Sequence, residues 1–402
     1  MRLCGKIEWK IPLRVNPTIR IRHPDHASSG CVITQKAESA YGPNRPLCRR
    51  LTRVNDAQGG VGRLDANVLF PITGARGPIN AMSNEKLCLF ALGASRKFGA
   101  SVARHLGIAL SDHEETDFED GEHKARPLHD ARGSDVFVVH SLYADAHQSI
   151  GDKLCRLLFF LSTLRDASPA RLTAVIPYLC YARQDSRSHA QDPVTTRYMA
   201  RMIEASGADQ VMTLEVHNLA AFQNAFRCRT DHLDSGTLFA HYFETLRTIP
   251  AITVISPDFG GVKRAEKFRE LLGNRLGRSI GFGFMEKHRT KEGMAGGRLA
   301  AEVRGHSVII FDDMISSGKT MARAAQACRD AGAAHVYGAA AHGLFVGEAA
   351  TLVSSGVLDQ VVITNTVPPW RLDPQWVRDE ITVLDATHLI ASAIARIHGG
   401  DS

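Results

Sequence analysis

Two adjacent carboxylates stand just before a short polar loop in the C-terminal part of the chain. Asp312 and Asp313 follow the unbroken apolar run 308–311, which is typical of a parallel strand covered on both faces. The loop after them contains small and polar residues: Ser316, Ser317, Gly318, Lys319 and Thr320. Such a loop, entering a helix, offers backbone N–H groups and hydroxyls to a phosphate. Because the carboxylates can accept hydrogen bonds from sugar hydroxyls or bind Mg²⁺, the stretch predicts a site for a phosphorylated sugar.

Two other interpretations apply to the same loop. Its last residues resemble the end of a nucleotide-binding P-loop, but that motif needs a glycine five positions before Gly318, and Asp313 stands there. The P-loop interpretation therefore fails on its own spacing. An ordinary turn between a strand and a helix stays open, since a pair of aspartates at a strand end is not by itself a site.

Three motifs in the first half of the chain carry side chains suited to a nucleotide. The motif FEDGE places Phe118 among three acids, where it can stack on a purine. Arg183 and Gln184 follow a predicted strand, and a planar guanidinium suits a polyphosphate. His217 ends the next strand, where an imidazole can bind a metal ion or a phosphate. Each signal is weak alone: FEDGE is more often a turn, Arg183 can pair with Asp185, and a lone histidine usually does neither.

Two glycine-rich segments of the second half also suit phosphate chemistry. Residues 256–265, SPDFGGVKRA, join a strand end to a helix, and their glycines let the backbone approach a diphosphate while Asp258 can hold Mg²⁺. Residues 286–297, EKHRTKEGMAGG, start at a strand end and become a polar loop, which is typical of a mobile lid that carries cations. A plain Gly-Gly turn and a solvated basic loop are the ordinary alternatives.

The elements that must position these residues alternate along the chain. From Leu87, apolar strands alternate with amphipathic helices, which predicts a doubly wound, mainly parallel sheet. A second series with similar spacing begins near Ile252. We therefore predict two related α/β domains, over residues 82–232 and 233–402, joined near 231–236.

Residues 1–81 differ in composition from the rest of the chain. They are rich in arginine, broken by Pro and Gly, and without a sustained period. Residues 1–86 hold 14 Lys and Arg against 6 Asp and Glu, so the remaining residues carry −2 of the total net charge of +6 and give no nucleic-acid signal. The leader is an upstream start assignment before Met82, a disordered extension or a targeting peptide. Sequencing the N-terminus of the native protein decides between these.

Cysteine usage and hydropathy indicate the cellular compartment of the protein and whether it spans a membrane. The eight cysteines are scattered without a C-x-x-C pair, which predicts reduced thiols in a cytoplasmic enzyme. Since no apolar run reaches the about 18 residues that a membrane-spanning helix needs, we expect no membrane segment.

Together the motifs resemble one family in their order and spacing. Residues 87–390 are similar to the ribose-phosphate diphosphokinases, also called phosphoribosyl pyrophosphate synthetases, through FEDGE, RLTAVIPYLCYARQD, the strand-end histidine, SPDFGGVKRAEKF, KHR and DDMISSGKT. The resemblance implies two tandem type I phosphoribosyltransferase-like domains, each a mainly parallel sheet flanked by helices. It also implies transfer of the diphosphate of Mg·ATP to C1 of ribose 5-phosphate, giving phosphoribosyl pyrophosphate and AMP for nucleotide biosynthesis. The family's members are homo-oligomers, with a hexamer as the family form.

The resemblance assigns a role to each matching residue. Lys287 and Arg289 would close over the transferring group. Adenine would be contacted, from a neighbouring subunit, by Phe118, Asp120 and Glu122. The rest of ATP would be held by Arg183, Gln184 and His217. Mg²⁺ would lie near His217 and Asp258. The ribose hydroxyls would be bound by Asp312 and Asp313, and the 5-phosphate by Ser316, Ser317, Gly318, Lys319 and Thr320.

The chain departs from the family's pattern in the sugar-phosphate loop. The common loop is DD-x-x-D-T-G-G-T, whereas here Ser316 replaces the third Asp, Ser317 the Thr and Lys319 the second Gly. The lid reads KHR rather than KRR, and the DLH segment reads EVH. Two alternatives follow. Loss of the lid cations or of the Asp pair would favour a non-catalytic regulatory paralogue, but both are present. A nucleobase phosphoribosyltransferase is disfavoured by the motifs for ATP.

Overall fold

The computed structural model describes residues 87–289 and 295–399, with the backbone alone at 287–289 and 295–297. The leader of residues 1–81 therefore lies outside the described residues. In chain order, the first half contains β1 (Leu87–Ala91), a 3-10 turn (Gly93–Ser95), α1 (Arg96–Leu106), β2 (His113–Asp117), β3 (His123–Pro127), β4 (Asp135–Val139), α2 (Ile150–Asp166), β5 (Arg171–Ile176), α3 (Thr195–Ala205), β6 (Gln210–Leu214), α4 (Leu219–Ala225) and β7 (Arg229–Leu233).

Five parallel strands form the first sheet, in the order β1-β4-β5-β6-β7. β4 and β6 are buried at every position, as expected for inner strands of a parallel sheet that is covered by helices on both faces. α1 ends at Gly107, which adopts the left-handed conformation with a φ of 71°. α2 begins with a capping box in which Ser149 and Asp152 bond each other's backbone N–H groups.

The hairpin β2–β3 is an addition that the alternating pattern does not predict. The two strands pair antiparallel and separately from the large sheets. Their connecting turn, residues 118–122, is the FEDGE motif, so the loop expected there is present as a hairpin turn. The hairpin packs against α2 and carries the motif away from the strand ends.

The second half is built around a larger sheet. In chain order it contains α5 (Gly236–Phe243), a 3-10 turn (Glu244–Thr248), β8 (Ile252–Ser256), α6 (Val262–Leu276), β9 (Gly281–Arg289), β10 (Ala295–Ala300), β11 (Ser307–Ile315), α7 (Lys319–Asp330), β12 (His335–Gly343), α8 (Ala349–Ser354), β13 (Gln360–Thr364), α9 (Pro374–Glu380), β14 (Ile381–Leu384) and α10 (Thr387–Gly399). The seven strands follow the order β10-β9-β8-β11-β12-β13-β14, and every pair is parallel except β9–β10.

The predicted lid loop is partly wrong. Residues 286–289 extend β9 and residues 295–297 belong to β10, and the two strands pair antiparallel, with Lys287 opposite Gly297. A glycine-rich polar sequence can form a ladder when each strand hydrogen-bonds the other, because strand pairing depends on the partner as well as on local composition. The remaining lid residues, 290–294, and the side chains of Lys287 and Arg289 lie outside the described residues.

The last helix crosses back to the first sheet. On α10, Ile390 and Ile394 are fully buried against α1 and the face of the first sheet that carries Leu89 and Phe137. The predicted boundary near 231–236 spans the end of β7, the turn after it and the start of α5. The division into two domains there stays a prediction. Within the described ranges, the helices are all too short or too polar to cross a membrane.

Candidate active site

A cleft of about 180 Å³ opens where strands of both sheets end. β11 pairs with β8 only as far as Ile310 and then continues against β12, so Asp312 and Asp313 stand beyond the end of β8. The sequence-predicted residues that line the cleft are Arg183, His217, Asp258, Asp312, Asp313, Ser316, Ser317, Gly318, Lys319 and Thr320. The fold thus brings together segments that follow β5 and β6 of the first sheet with segments that follow β8 and β11 of the second. Carboxyl ends of parallel strands are the usual place for ligands in such sheets.

The floor of the cleft is a network of charges. The ring nitrogen Nδ1 of His217 lies 3.1 Å from Oδ2 of Asp313. The guanidinium of Arg264, on α6, lies 3.1 Å from Oδ1 of Asp312 and 3.1 Å from Oδ1 of Asp313. Asp313 is nearly fully buried, with 2% of its side chain exposed, while 41% of the His217 side chain is exposed. One buried carboxylate therefore connects the residue after β6 to the Asp pair of β11.

These contacts separate the protonation of the two aspartates. Burial would raise the pKa of Asp313, but the hydrogen bond with His217 and the charge of Arg264 outweigh it and hold that pKa well below its usual range. Burial and the neighbouring charge of Asp313 raise the pKa of Asp312. The hydrogen bond with Asp313 in turn raises the pKa of His217. Asp313 is thus the ionised member of the pair.

The loop after the Asp pair has the geometry of an anion cradle. Gly318 has a φ of 77°, and it precedes the twelve-residue helix α7. A Cβ at Gly318 would lie 3.0 Å from Cδ2 of Leu352, so both the backbone and the space favour glycine there. Lys319 opens the helix, and its ammonium lies 3.2 Å from the exposed carboxylate of Glu348. The first-turn N–H groups and the positive end of the helix dipole suit a phosphate.

The Gly-Gly loop after β8 forms another wall of the cleft. The N–H of Gly261 donates to Oδ1 of Asp258 at 3.1 Å, and the hydroxyl of Ser256 donates to the Asp258 carbonyl at 2.7 Å. A Cβ at Gly261 would lie 2.9 Å from the Ser256 hydroxyl oxygen. This loop is therefore closed tightly around Asp258, and it leaves no room for a side chain at Gly261.

Several predicted site residues do not line this cleft. Gln184 is exposed and its amide oxygen accepts a hydrogen bond from Thr195. Phe118, Asp120 and Glu122 occupy the exposed tip of the β2–β3 hairpin, where 48% of Phe118 is exposed. Lys287 and Arg289 lie on β9, which neighbours β8. The cleft therefore holds residues that the resemblance assigns to the sugar, to the metal ion and to the ATP phosphates, but not those that it assigns to adenine.

Two residues of the site have no predicted role in the sequence. Arg264 stands inside the motif SPDFGGVKRA, and Glu215 inside EVH, yet no role follows from their spacing. Arg264 contacts both aspartates, and Glu215 lies 3.6 Å from its Nε. Burial, acting against the charge of Arg264, raises the pKa of Glu215 to about 7. A buried arginine next to three acids is a signal that only spatial neighbours reveal.

The donors of the cleft fit a magnesium ion that arrives with phosphates. Mg²⁺ prefers carboxylate oxygens and usually keeps several waters, with one or two protein carboxylates and substrate phosphates completing its shell. Asp258 and the Asp312–Asp313 pair supply such carboxylates. His217 uses Nδ1 for Asp313, so Nε2 is the ring nitrogen that a ligand would use. Within residues 87–289 and 295–399, no three His, Cys, Asp or Glu side chains cluster closely enough to form a metal cage.

Comparisons with known proteins identify the family. The family model described as the N-terminal domain of ribose phosphate pyrophosphokinase matches residues 87–207, and the phosphoribosyl synthetase-associated domain matches residues 284–402. The ribose-phosphate pyrophosphokinase of Caldanaerobacter subterraneus subsp. tengcongensis is 35% identical over 323 residues, which span 80% of this chain and 98% of that protein. The chain belongs to the ribose-phosphate pyrophosphokinase family.

Other members of the ribose-phosphate pyrophosphokinase family match this chain over a similar length. Ribose-phosphate pyrophosphokinase 1 of Streptococcus pneumoniae is 32% identical over 318 residues, covering 79% of this chain and 95% of its own. The crystal structure of phosphoribosylpyrophosphate synthetase from Mycobacterium smegmatis aligns with a TM-score of 0.70 and 30% identity, over 79% of this chain and 100% of that one. The predicted family, and a fold of two tandem type I phosphoribosyltransferase-like domains, are thereby confirmed.

Proposed function

We propose that this chain transfers the diphosphate of Mg·ATP to ribose 5-phosphate. The C1 hydroxyl oxygen attacks the β-phosphorus of ATP, and the bond between that phosphorus and the α–β bridging oxygen breaks. AMP leaves with the bridging oxygen, and the hydroxyl proton is released. The products are phosphoribosyl pyrophosphate and AMP, which serve nucleotide biosynthesis.

One observation carries the proposal: the Asp pair and the phosphate-type loop share a cleft with Arg183 and His217. A sugar-phosphate site alone would suit many transferases, and a polyphosphate-binding arginine alone would suit many kinases. Their presence in one cleft, in a member of this family, supports a two-substrate site. Transfer then depends on positioning and on charge stabilisation.

The sugar side is assigned from contacts and chemistry. Asp312 and Asp313 accept hydrogen bonds from the ribose hydroxyls, consistent with the low pKa of Asp313. The 5-phosphate is bound by the loop and the first turn of α7: Ser316, Ser317, Gly318, Lys319 and Thr320. Lys319 replaces a family glycine and adds a cation, and Ser317 keeps the hydroxyl of the threonine that it replaces.

The ATP side is assigned from the resemblance and from the cleft. Arg183 and His217 hold the phosphates, and Gln184 lies beside Arg183. Asp258 and His217 would hold Mg²⁺ together with phosphate oxygens, and the ion would neutralise charge on the group being transferred. Lys287 and Arg289 stabilise the charge that develops in the transition state.

The adenine ring is contacted by a second copy of the chain. Phe118, Asp120 and Glu122 lie at the exposed tip of the β2–β3 hairpin and outside the cleft of their own chain. An exposed aromatic side chain beside carboxylates is suited to stack on a base offered by a neighbour. We therefore propose a homo-oligomer, in the cytoplasm, whose site is completed across a subunit interface.

The test is an assay of AMP release from purified protein with Mg·ATP and ribose 5-phosphate. AMP and phosphoribosyl pyrophosphate in equal amounts are expected. Absence of AMP rejects the proposal and leaves the regulatory paralogue, which an added active relative would identify by a change in its rate. Nucleobase-dependent consumption of phosphoribosyl pyrophosphate would identify a phosphoribosyltransferase instead. The same assay on a chain that starts at Met82 measures the contribution of the leader.

A further inference from the structure

Arg264 lies beneath the cleft with its guanidinium engaged by protein groups on both sides. On the sugar side, Nη1 donates to Asp312 and lies 3.1 Å from Oδ1 of Asp313. On the nucleotide side, Nη2 donates to the carbonyl of Val216 at 3.3 Å and to that of His217 at 3.0 Å. Only 14% of the side chain is exposed. A guanidinium used in this way is not placed to bind a substrate phosphate.

Glu215 fixes the direction of this guanidinium. Its carboxylate is 3.6 Å from Nε of Arg264, and it accepts hydrogen bonds from the N–H and hydroxyl of Ser235 at 3.0 and 3.2 Å. Its carbonyl lies 3.1 Å from Nε2 of the buried His342. Its N–H donates to Leu233 at 3.0 Å. Each polar group of Glu215 therefore has a partner that is distant in the sequence.

The backbone at Glu215 turns the end of β6 towards Arg264. Its φ of 44° lies in the left-handed region, which is uncommon for a residue other than glycine. Such a conformation persists only where surrounding contacts impose it. The turn directs the carbonyls of Val216 and His217 to the same guanidinium that holds the Asp pair.

We infer that Arg264 is a positioning residue of the reaction, held in place by Glu215, that fixes His217 relative to Asp312 and Asp313. The inference rests on the proposed function, because it assigns His217 to the nucleotide and the Asp pair to the ribose. Removing Arg264 leaves the buried carboxylate of Asp313 and the partly buried carboxylate of Asp312 without their shared cation, and like charges there repel. His217 and the Asp pair then no longer share a contact that fixes their relative positions.

Three substitutions separate a positioning role from other roles. Arg264→Gln removes both the charge and the planar guanidinium. Arg264→Lys keeps the charge without the guanidinium. Glu215→Gln weakens the ion pair that orients the guanidinium. Arg275→Gln, on the exposed part of the same helix, is the matched control. We expect Arg264→Gln to lower kcat/KM about 100-fold or more for both ribose 5-phosphate and ATP, the range for breaking a buried charge pair. Glu215→Gln should lower both by about 10-fold, and the control should equal the parent chain.

The kinetic pattern distinguishes the alternatives. Loss confined to one substrate would make Arg264 a ligand of that substrate and overturn the inference. Full recovery with Arg264→Lys would also overturn it, because charge alone would then suffice. Thermal unfolding of each variant is compared with that of Arg275→Gln, so that a general loss of folding is recognised.

A crystal structure of the Arg264→Gln variant tests the inference independently of turnover. We expect the 3.1 Å contact between His217 and Asp313 to be lost. If this contact is retained in a folded variant, Arg264 does not position the two halves. If the parent chain releases no AMP while this contact breaks as expected, the proposed reaction fails and the structural role of Arg264 stands.

Discussion

In the proposed reaction, two cations stabilise the charge that develops at the reacting phosphorus. Lys287 and Arg289 are assigned to this task by motif, and their backbone lies on β9 beside β8, whose end leads to Asp258. A cation near a bridging oxygen lowers the barrier only in the transition state, so its loss should reduce kcat more than substrate affinity.

The first prediction concerns Lys287. We expect Lys287→Ala to lower kcat about 10³-fold or more while KM for both substrates changes little, because a key charge-stabilising group is lost. Steady-state measurement of AMP release checks this. Lys97→Ala, at an exposed position of α1, is the control and should keep full activity. Near-normal turnover of Lys287→Ala would remove Lys287 from the mechanism.

At the scale of elements, the proposed sugar-phosphate site consists of one strand, one loop and one helix. β11 ends beyond β8, the loop turns through Gly318, and α7 begins at Lys319. The site is therefore sensitive to the path of the backbone at the start of α7, even where no side chain contacts the phosphate. Ser316 also accepts a hydrogen bond from the N–H of Val346, which fixes the loop to the segment after β12.

The second prediction tests this path. Gly318→Ala places a Cβ at a φ of 77° and 3.0 Å from Leu352, so we expect a loss of about 1–2 kcal/mol in the free energy of unfolding. We also expect KM for ribose 5-phosphate to rise about 10-fold, the effect of losing roughly one hydrogen bond to the charged phosphate, with little change in KM for ATP. Chemical denaturation and steady-state kinetics measure the two effects.

A matched glycine separates strain from function. Gly107 ends α1 with a φ of 71°, and a Cβ there meets no atom within 4 Å. Gly107→Ala should therefore carry the backbone strain but leave both KM values unchanged. A rise in KM for ribose 5-phosphate in Gly107→Ala would show that lost stability, rather than the loop, causes the effect at Gly318.

At the scale of the whole molecule, each α/β half contributes residues that pack on or hydrogen-bond the other half. α10 follows the last strand of the second sheet, yet it packs on the first sheet. In the opposite direction, the side chains of Trp370 and Arg371 donate to the carbonyl of Ala144, in the first half. Because apolar and polar contacts both cross between the sheets, we expect the halves to unfold together.

The third prediction concerns α10. Ile394 is fully buried against the first sheet, so Ile394→Ala should cost about 2–5 kcal/mol through lost contacts and a cavity. Scanning calorimetry should still show a single transition, at a lower Tm. Ile397→Ala, only partly buried on the same helix, should lower Tm less. Two separate transitions in Ile394→Ala would show that the halves are independent.

Local patterns in the sequence determine much of this protein. The order of strands and helices, the end of α1 at Gly107, and the loop after Asp313 follow from periodicity, from glycine's access to positive φ, and from the donors that such a loop offers. Each of these features depends on residues that are close to one another in the sequence. The family also follows, because several short motifs occur in one order.

Tertiary structure alone decides how distant residues meet. His217 and Asp313 are 96 positions apart, and their contact exists only because β6 and β11 end at the same cleft. Arg264 and Glu215 gain their role from buried partners on other elements, and composition does not encode those partners. The hairpin that carries Phe118 away from the cleft, the pairing of β9 with β10, and the return of α10 to the first sheet likewise depend on long-range packing, which no local pattern specifies.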